Sequence, residues 1–176
     1  MIEKSKMSQE IVNRVASSPL ITIDLKDYIP EGERVEYDLK NDLYEGLILR
    51  EKDFRSSIRD RDWSEYRGKH VAIHCSEDSI IPKWAYMLLA SKLAPFASTI
   101  VFGNLDQLEN ELLIRSIKKI NPQDYKDKKL VIKGCGDKEI SEAAFMEIVV
   151  LFQPVAASIM YGEPCSTVPV YKRPRK

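Results

Sequence analysis

The sequence has no net charge: over 176 residues, 27 lysines and arginines balance 27 aspartates and glutamates. A balanced surface leaves no electrostatic footprint for a polyanion, so nucleic acid is not an expected partner. Long apolar runs are also missing. The run EIVVLF is bounded by Glu147 and Gln153, far short of the roughly 18 apolar residues a membrane helix needs, so no membrane association is expected. The first ten residues, MIEKSKMSQE, have no apolar core of the kind a secretory signal requires, and a cytoplasmic location is the expectation. Cysteine is scarce and odd in number: Cys75, Cys135 and Cys165, spaced 60 and 30 apart, do not make a disulfide framework. GxGxxG, Walker, HExxH and CxxC motifs are all absent, so nucleotide-binding and zincin chemistry lack their usual signatures.

What is present fits one core. The chain is 44% hydrophobic with only seven glycines, within the ordinary size of a single domain. Ser8 to Ala16 places Ile11, Val12 and Val15 on one helical face, a short docking helix. LITIDL alternates as a strand, a second strand follows the turn at Pro30 to Gly32, and Gly46 to Leu49 reads as a third. Glu51 to Asp60 is charged except for Phe54 and Ile58, the i, i+4 stripe of a surface helix. From Val71 onward, short β-branched runs alternate with amphipathic segments. Strands are predicted at 71–74, 99–102, 130–133 and 158–161, with helices at 82–93, 106–119 and 142–152. Pro82 suits a first helical turn, Ser141 an N-cap, and Asn104 with Gln107 a capping box.

These segments contain an internal repeat. Sliding residues 71–104 along by 59 lays them over 130–163 without a gap, giving nine identities, among them Asp78 with Asp137, Pro95 with Pro154 and Gly103 with Gly162. The predicted fold is a single α/β domain built on a mostly parallel, Rossmann-like sheet with helices on both faces and a βαβ pseudo-repeat at 71–104 and 130–163. Residues 1–68 form an N-terminal helix and strand subregion, and 164–176 a basic tail. Right-handed crossovers permit the strand order Thr99, Val71, Leu130, Ser158 by first residue.

In that order all three thiols leave the carboxyl edge of one sheet, where α/β proteins bind ligands. Strands beginning at Val71 and Leu130 would be about 4.8 Å apart, close enough for Cys75, Cys135 and Cys165 to share a metal. Three thiolates suit tetrahedral zinc, or iron or an iron–sulfur centre, with His74, Asp78 or Asp137 as further ligands or proton carriers. Gly134 and Gly136 would admit a ligand to the backbone and adopt turn geometry closed to other residues. The expected site is therefore Cys75, Cys135, Cys165 and His74 for metal, with Gly134, Gly136, Asp78 and Asp137 around a cofactor. Two other classes stay open: a thiol-dependent small-molecule enzyme or redox protein, and a structural or interaction module whose cysteines are inert core residues. A small-molecule ligand and a homo-oligomer are both compatible with the sequence. His74 and Cys75, adjacent in a strand, point to opposite faces and make a poor catalytic pair. His70 is expected at the surface, Trp84, Tyr86, Met87 and Leu88 in the core, and Asp78 and Asp137 have the alternative role of helix caps.

The stretches HCSEDSIIPKWAYMLLA, VIKGCGDKEISEAAF and MYGEPCSTVPVYK, together with LREKDFRSSI, carry a further signal. On these residues the chain resembles, over nearly its whole length, a family of short bacterial proteins known only as a domain of unknown function. The resemblance implies no activity, substrate or cofactor, but its stretches contain all three cysteines.

Overall fold

The computed structural model describes residues 20–134 and 139–174, so the helix read at Ser8 to Ala16 and the roles given to Cys135, Gly136 and Asp137 lie outside the described residues. In chain order the elements are β1 (Leu20–Asp24), β2 (Arg34–Asp38), α1 (Glu51–Asp60), β3 (His70–His74), α2 (Lys83–Leu93), β4 (Thr99–Phe102), α3 (Leu105–Ile117), β5 (Lys129–Lys133), α4 (Glu142–Phe152), β6 (Ser158–Glu163) and β7 (Ser166–Lys172). Among the described residues no helix is long and apolar enough to cross a membrane.

The fold is mixed α/β with mostly parallel strands, but it has two sheets where the sequence suggested one. The first runs β1-β5-β6-β7 and the second β2-β3-β4. The order Thr99, Val71, Leu130, Ser158 is therefore wrong at its centre. β3 is occupied on both edges, by β2 and β4, and β5 likewise by β1 and β6. The strands from the N-terminal subregion take the places that β3 and β5 would have offered each other, with Ile21 opposite Leu130 and Val35 opposite Val71.

β1 and β2 end in the same way. Asp24 and Asp38 each accept a hydrogen bond from the backbone N–H two residues on, Lys26 at 3.1 Å and Lys40 at 3.0 Å, capping short 3₁₀ turns that bury Leu25 and Leu39. The two windows 71–104 and 130–163 also form strand, helix and strand with the same register, Ile73 opposite Phe102 and Ile132 opposite Tyr161. Each carries an edge-to-face aromatic pair, Tyr86 on Phe102 at 5.3 Å and Phe145 on Tyr161 at 5.5 Å, both at 81° between rings.

α1 and α2 cover one face of the three-stranded sheet. Phe54, Ile58, Ala85, Leu89 and Leu93 bury against Tyr37, Val71 and Ile73. α3 covers the other face with Leu108 and Leu112 over Ala72. Its far side turns Leu113 and Ile117 into the core beneath the four-stranded sheet, with Leu130, Ile132, Ile148, Phe152 and Ile159. α3 is thus the element both sheets share, because its apolar positions span two faces rather than one stripe.

Three local expectations change. Gly46 to Leu49 forms no strand, only a bridge between Tyr44 and Ile48, because Glu45 and Gly46 both have positive φ and reverse the chain. The basic tail contains a seventh strand, β7, antiparallel to β6, with Pro169 tolerated next to a register shift on an edge strand. His70 is not a surface residue: it is 7% exposed at the start of a central strand, its Nε2 2.9 Å from the Glu31 carbonyl oxygen.

Candidate functional site

The predicted thiol site does not assemble on adjacent strands. Cys75 follows β3 in the three-stranded sheet, half-buried against the α2-side cluster, whereas Cys165 is exposed in the β6–β7 turn of the other sheet. Cys135 follows β5, which pairs with β6 and not with β3, so the 4.8 Å spacing that would have joined it to Cys75 does not exist. Among the described residues no group of three or more His, Cys, Asp or Glu is arranged to hold a metal. Neither Cys75 nor Cys165 hydrogen-bonds to a base among them, and Cys75 lies near Tyr86, whose phenol is pushed up first by burial and then by the charge a Cys75 thiolate would carry.

His74 points to the opposite face, as alternation requires. Its Nε2 is buried and lies 3.5 Å from Glu36 Oε1, an ion-pair distance without hydrogen-bond alignment. Glu36 Oε1 also accepts from the backbone N–H of Leu105, at 3.3 Å, so this carboxylate is spent on orienting the start of α3. Opposite His74 in register is Asp38, which accepts from Ser76 N at 3.0 Å as well as from Lys40 N. Burial raises the Asp38 carboxyl pKa, but the donors from Ser76 and Lys40 outweigh it and hold the group well below the usual carboxylate range. At the equivalent end of the other sheet, Asp24 pairs with Lys133 at 3.3 Å, and Lys133 reaches Glu163 at 3.9 Å. Asp24 holds the lysine above its ordinary pKa.

Asp78 is exposed and caps nothing: α2 begins after Pro82, which is the N-cap rather than a first-turn residue, without a side-chain cap bond. Ser141 and the Asn104–Gln107 box cap α4 and α3 as the sequence indicates. Gly134 does not have positive φ, and the side chains of Phe145 and Ile140 crowd its Cα. A Cβ there would sit 2.9 Å from Phe145 Cζ and 3.2 Å from Ile140 Cγ1. Trp84, Tyr86 and Leu88 pack against the core, whereas Met87 is 72% exposed.

A cavity of about 520 Å³ lies where the carboxyl ends of β1, β4 and β5 release the chain. Its floor is apolar, Ile29, Leu113 and Ile140, and its walls carry Asp106 and Glu109 from α3 and Glu139 and Glu142 from the entry to α4. Asn110 and Ser141 hydrogen-bond across it and tie the two helices together. Arg34 neutralises Glu109, with Nε to Oε1 at 2.9 Å and Nη2 to Oε2 at 3.3 Å. Asp106, Glu139 and Glu142 make no ion pair among the described residues. First-turn acids complement the helix dipole, which accounts for Asp106 and Glu142. It does not account for Glu139, which lies outside the helix. A second hollow of about 310 Å³ beside β2 is satisfied internally: Arg61 lies among its acids, 5.0 Å over the Tyr37 ring, and Tyr37 donates to Asp42 at 2.8 Å.

Sequence reasoning missed the cavity residues because Asp106 and Glu142 stood at the starts of predicted helices, and Glu109 and Glu139 belonged to no motif. The signal lay in two acid-rich entries, LDQLENE and EISE, and only the packing of α3 on α4 brings them together. Compared with known proteins, the chain matches no curated protein and no solved structure. A family model described as a protein of unknown function (DUF2480) matches residues 9–173, and the chain belongs to that family.

Proposed function

We propose that this chain is a small-molecule-binding α/β protein whose ligand is an organic cation, such as a primary amine, held in the cavity between α3 and α4. One observation carries the reading: three carboxylates with no described counter-charge, Asp106, Glu139 and Glu142, surround an apolar floor beyond the carboxyl ends of three strands. Ligands of α/β proteins favour that position. The acids are spread around a space of molecular size and do not converge on one point, which favours an ammonium-bearing molecule over a bare ion. The finer reading of the fold, two copies of one strand-plus-βαβ unit, belongs to the same proposal and is supported by the matching registers, aromatic pairs and Asp-Leu-Lys turns.

The test is calorimetric titration of the full chain with 1,4-diaminobutane at low salt, beside inorganic phosphate and Mg²⁺. Stoichiometric diamine binding that weakens at least about ten-fold in Glu139→Gln/Glu142→Gln is expected, since each charge-assisted hydrogen bond is worth roughly 1.5–3 kcal/mol. Tight phosphate binding, or diamine binding indifferent to both substitutions, would overturn it.

A thiol-based reading has narrower support. Cys135 and Cys165 each follow by two residues Lys133 and Glu163, whose side chains approach to 3.9 Å at neighbouring strand ends, while Cys75 belongs to the other sheet. Zinc or iron held by Cys75, Cys135, Cys165 and His74, or covalent use of these thiols, is tested by elemental analysis of untagged protein beside the triple Cys→Ser variant and by alkylation rates. Stoichiometric metal lost in the variant would favour the metal, and one fast-reacting cysteine the thiol chemistry.

A further inference from the structure

We infer that the free edge of β4 is where two copies of this chain pair, β4 against β4 and antiparallel, joining two three-stranded sheets into one of six strands. Among the described residues β4 is hydrogen-bonded on one side only, to β3. Exposed edges are ordinarily guarded by charge, proline or a bulge. β2, at the other edge of the same sheet, carries Arg34, Glu36 and Asp38, and β7 carries Pro169, Lys172 and a register shift. β4 reads Thr-Ile-Val-Phe with none of these, and Phe102 is 71% exposed.

The other sheet shows what such an edge accepts. Its corresponding strand, β6, is covered by antiparallel β7, with Val168 opposite Tyr161, the counterpart of Phe102. The three-stranded sheet has no such hairpin, because after Gly103 the chain enters α3.

Charge identifies the occupant as a second copy. α3 lies across β3 and β4, with Leu108 and Leu112 facing the sheet and Glu109 reaching Arg34 on β2. Helical geometry therefore puts Glu111 and Arg115 on the β4 flank, where they pair at 2.7 Å, half-exposed. An antiparallel two-fold at the β4 edge makes the two α3 helices antiparallel and roughly 10–15 Å apart, given strand spacings of about 4.8 Å. Glu111 of each copy then faces Arg115 of the other. The contact is self-complementary, as a closed two-fold interface must be. Centred on Val101, the pairing would set Phe102 opposite Ile100 of the second copy, both on the α2 face of the sheet, an aromatic and β-branched cross-strand pair.

Sedimentation velocity of the full chain from about 10 to 200 µM tests the pairing, with circular dichroism confirming that each variant is folded. The wild type is expected at twice the 20.2 kDa chain mass. Phe102→Lys and Arg115→Glu should each raise the dimer dissociation constant at least ten-fold, and the exchange Glu111→Arg/Arg115→Glu should restore pairing that Arg115→Glu alone loses. A wild type that stays monomeric throughout, or a dimer unmoved by Phe102→Lys and Arg115→Glu, would overturn the proposal.

Discussion

Replacing Gly134 with alanine tests what the first glycine of the Gly-Cys-Gly stretch is for. Its backbone conformation is open to any residue, so the cost lies in packing alone. The new methyl would stand 2.9 Å from Phe145 Cζ and 3.2 Å from Ile140 Cγ1, so the ring must retreat by several tenths of an ångström. Phe145 cannot retreat freely because it is set edge-to-face on Tyr161 at 5.5 Å. Overpacking of this kind costs about 1–3 kcal/mol, which at this chain length lowers Tm by roughly 2–4 °C for each kcal/mol. Urea unfolding of the wild type, Gly134→Ala, Phe145→Leu and the double variant would measure it. Phe145→Leu alone loses the aromatic pair, about 1 kcal/mol, but it removes the atom that the alanine meets. The double variant should therefore be more stable than the sum of the singles predicts, by about 1 kcal/mol. Additive losses, or no loss in Gly134→Ala, would refute the packing account.

Gly32→Ala should be costly for a different reason. With φ at +123° and a prospective Cβ 2.8 Å from His70 Nε2, it combines backbone strain of about 1–3 kcal/mol with displacement of a buried polar ring, about 1–3 kcal/mol. Gly68→Ala, at φ +74° with nothing within 4 Å, isolates the strain, and equal losses in the two variants would contradict the role given to His70. Asp38→Asn should lose about 1 kcal/mol at neutral pH, because the Lys40 and Ser76 N–H groups then donate to a neutral amide oxygen instead of a carboxylate. Because the wild-type carboxyl titrates below its unfolded value, its contribution is complete above the ordinary carboxylate range near 3.9 and drains away as the pH falls below it. The variant's stability should fall less steeply on acidification; parallel acid limbs would argue against this.

Local pattern made the elements legible, and long-range pairing made the site illegible. Phe54 and Ile58 identified α1 and are both 1% exposed, and the caps at Asn104 and Ser141 stood where their chemistry predicts. Side-chain period and capping are properties of a few consecutive residues. Strand order is not: nothing in Val71 to His74 or Leu130 to Lys133 shows that β2 and β1 occupy their free edges. The thiol site was inferred from an order that those two strands forbid. β7 escaped because Pro169 and a basic end resemble a solvated tail, and its pairing with β6 becomes visible only once the register shift beside Ile159 accommodates the extra residue. His70 was misplaced because nothing local shows that the Glu31–Gly32 turn folds over it.

The division into two sheets also explains why the cavity and the β4 edge both border α3. With β2 and β1 drawn into different sheets, β3 and β4 send α2 and α3 to opposite faces of the three-stranded sheet, and the cavity lies where α3 then meets the entry to α4. Among the described residues the one helix that packs into both cores is α3, through Leu108 and Leu112 on one side and Leu113 and Ile117 on the other. Its polar positions are held from both directions, Glu109 by Arg34 of the three-stranded sheet and Asn110 by Ser141 ahead of α4. A cation bound at Asp106, Glu139 and Glu142 would therefore clamp α3 against α4 and stabilise the junction of the two sheets rather than either one. Pairing through β4 would use the remaining flank, Glu111 and Arg115, and leave the cavity open. The two sites lie on separate faces of one helix, so variants at Glu139 and Glu142 should leave the sedimentation behaviour unchanged.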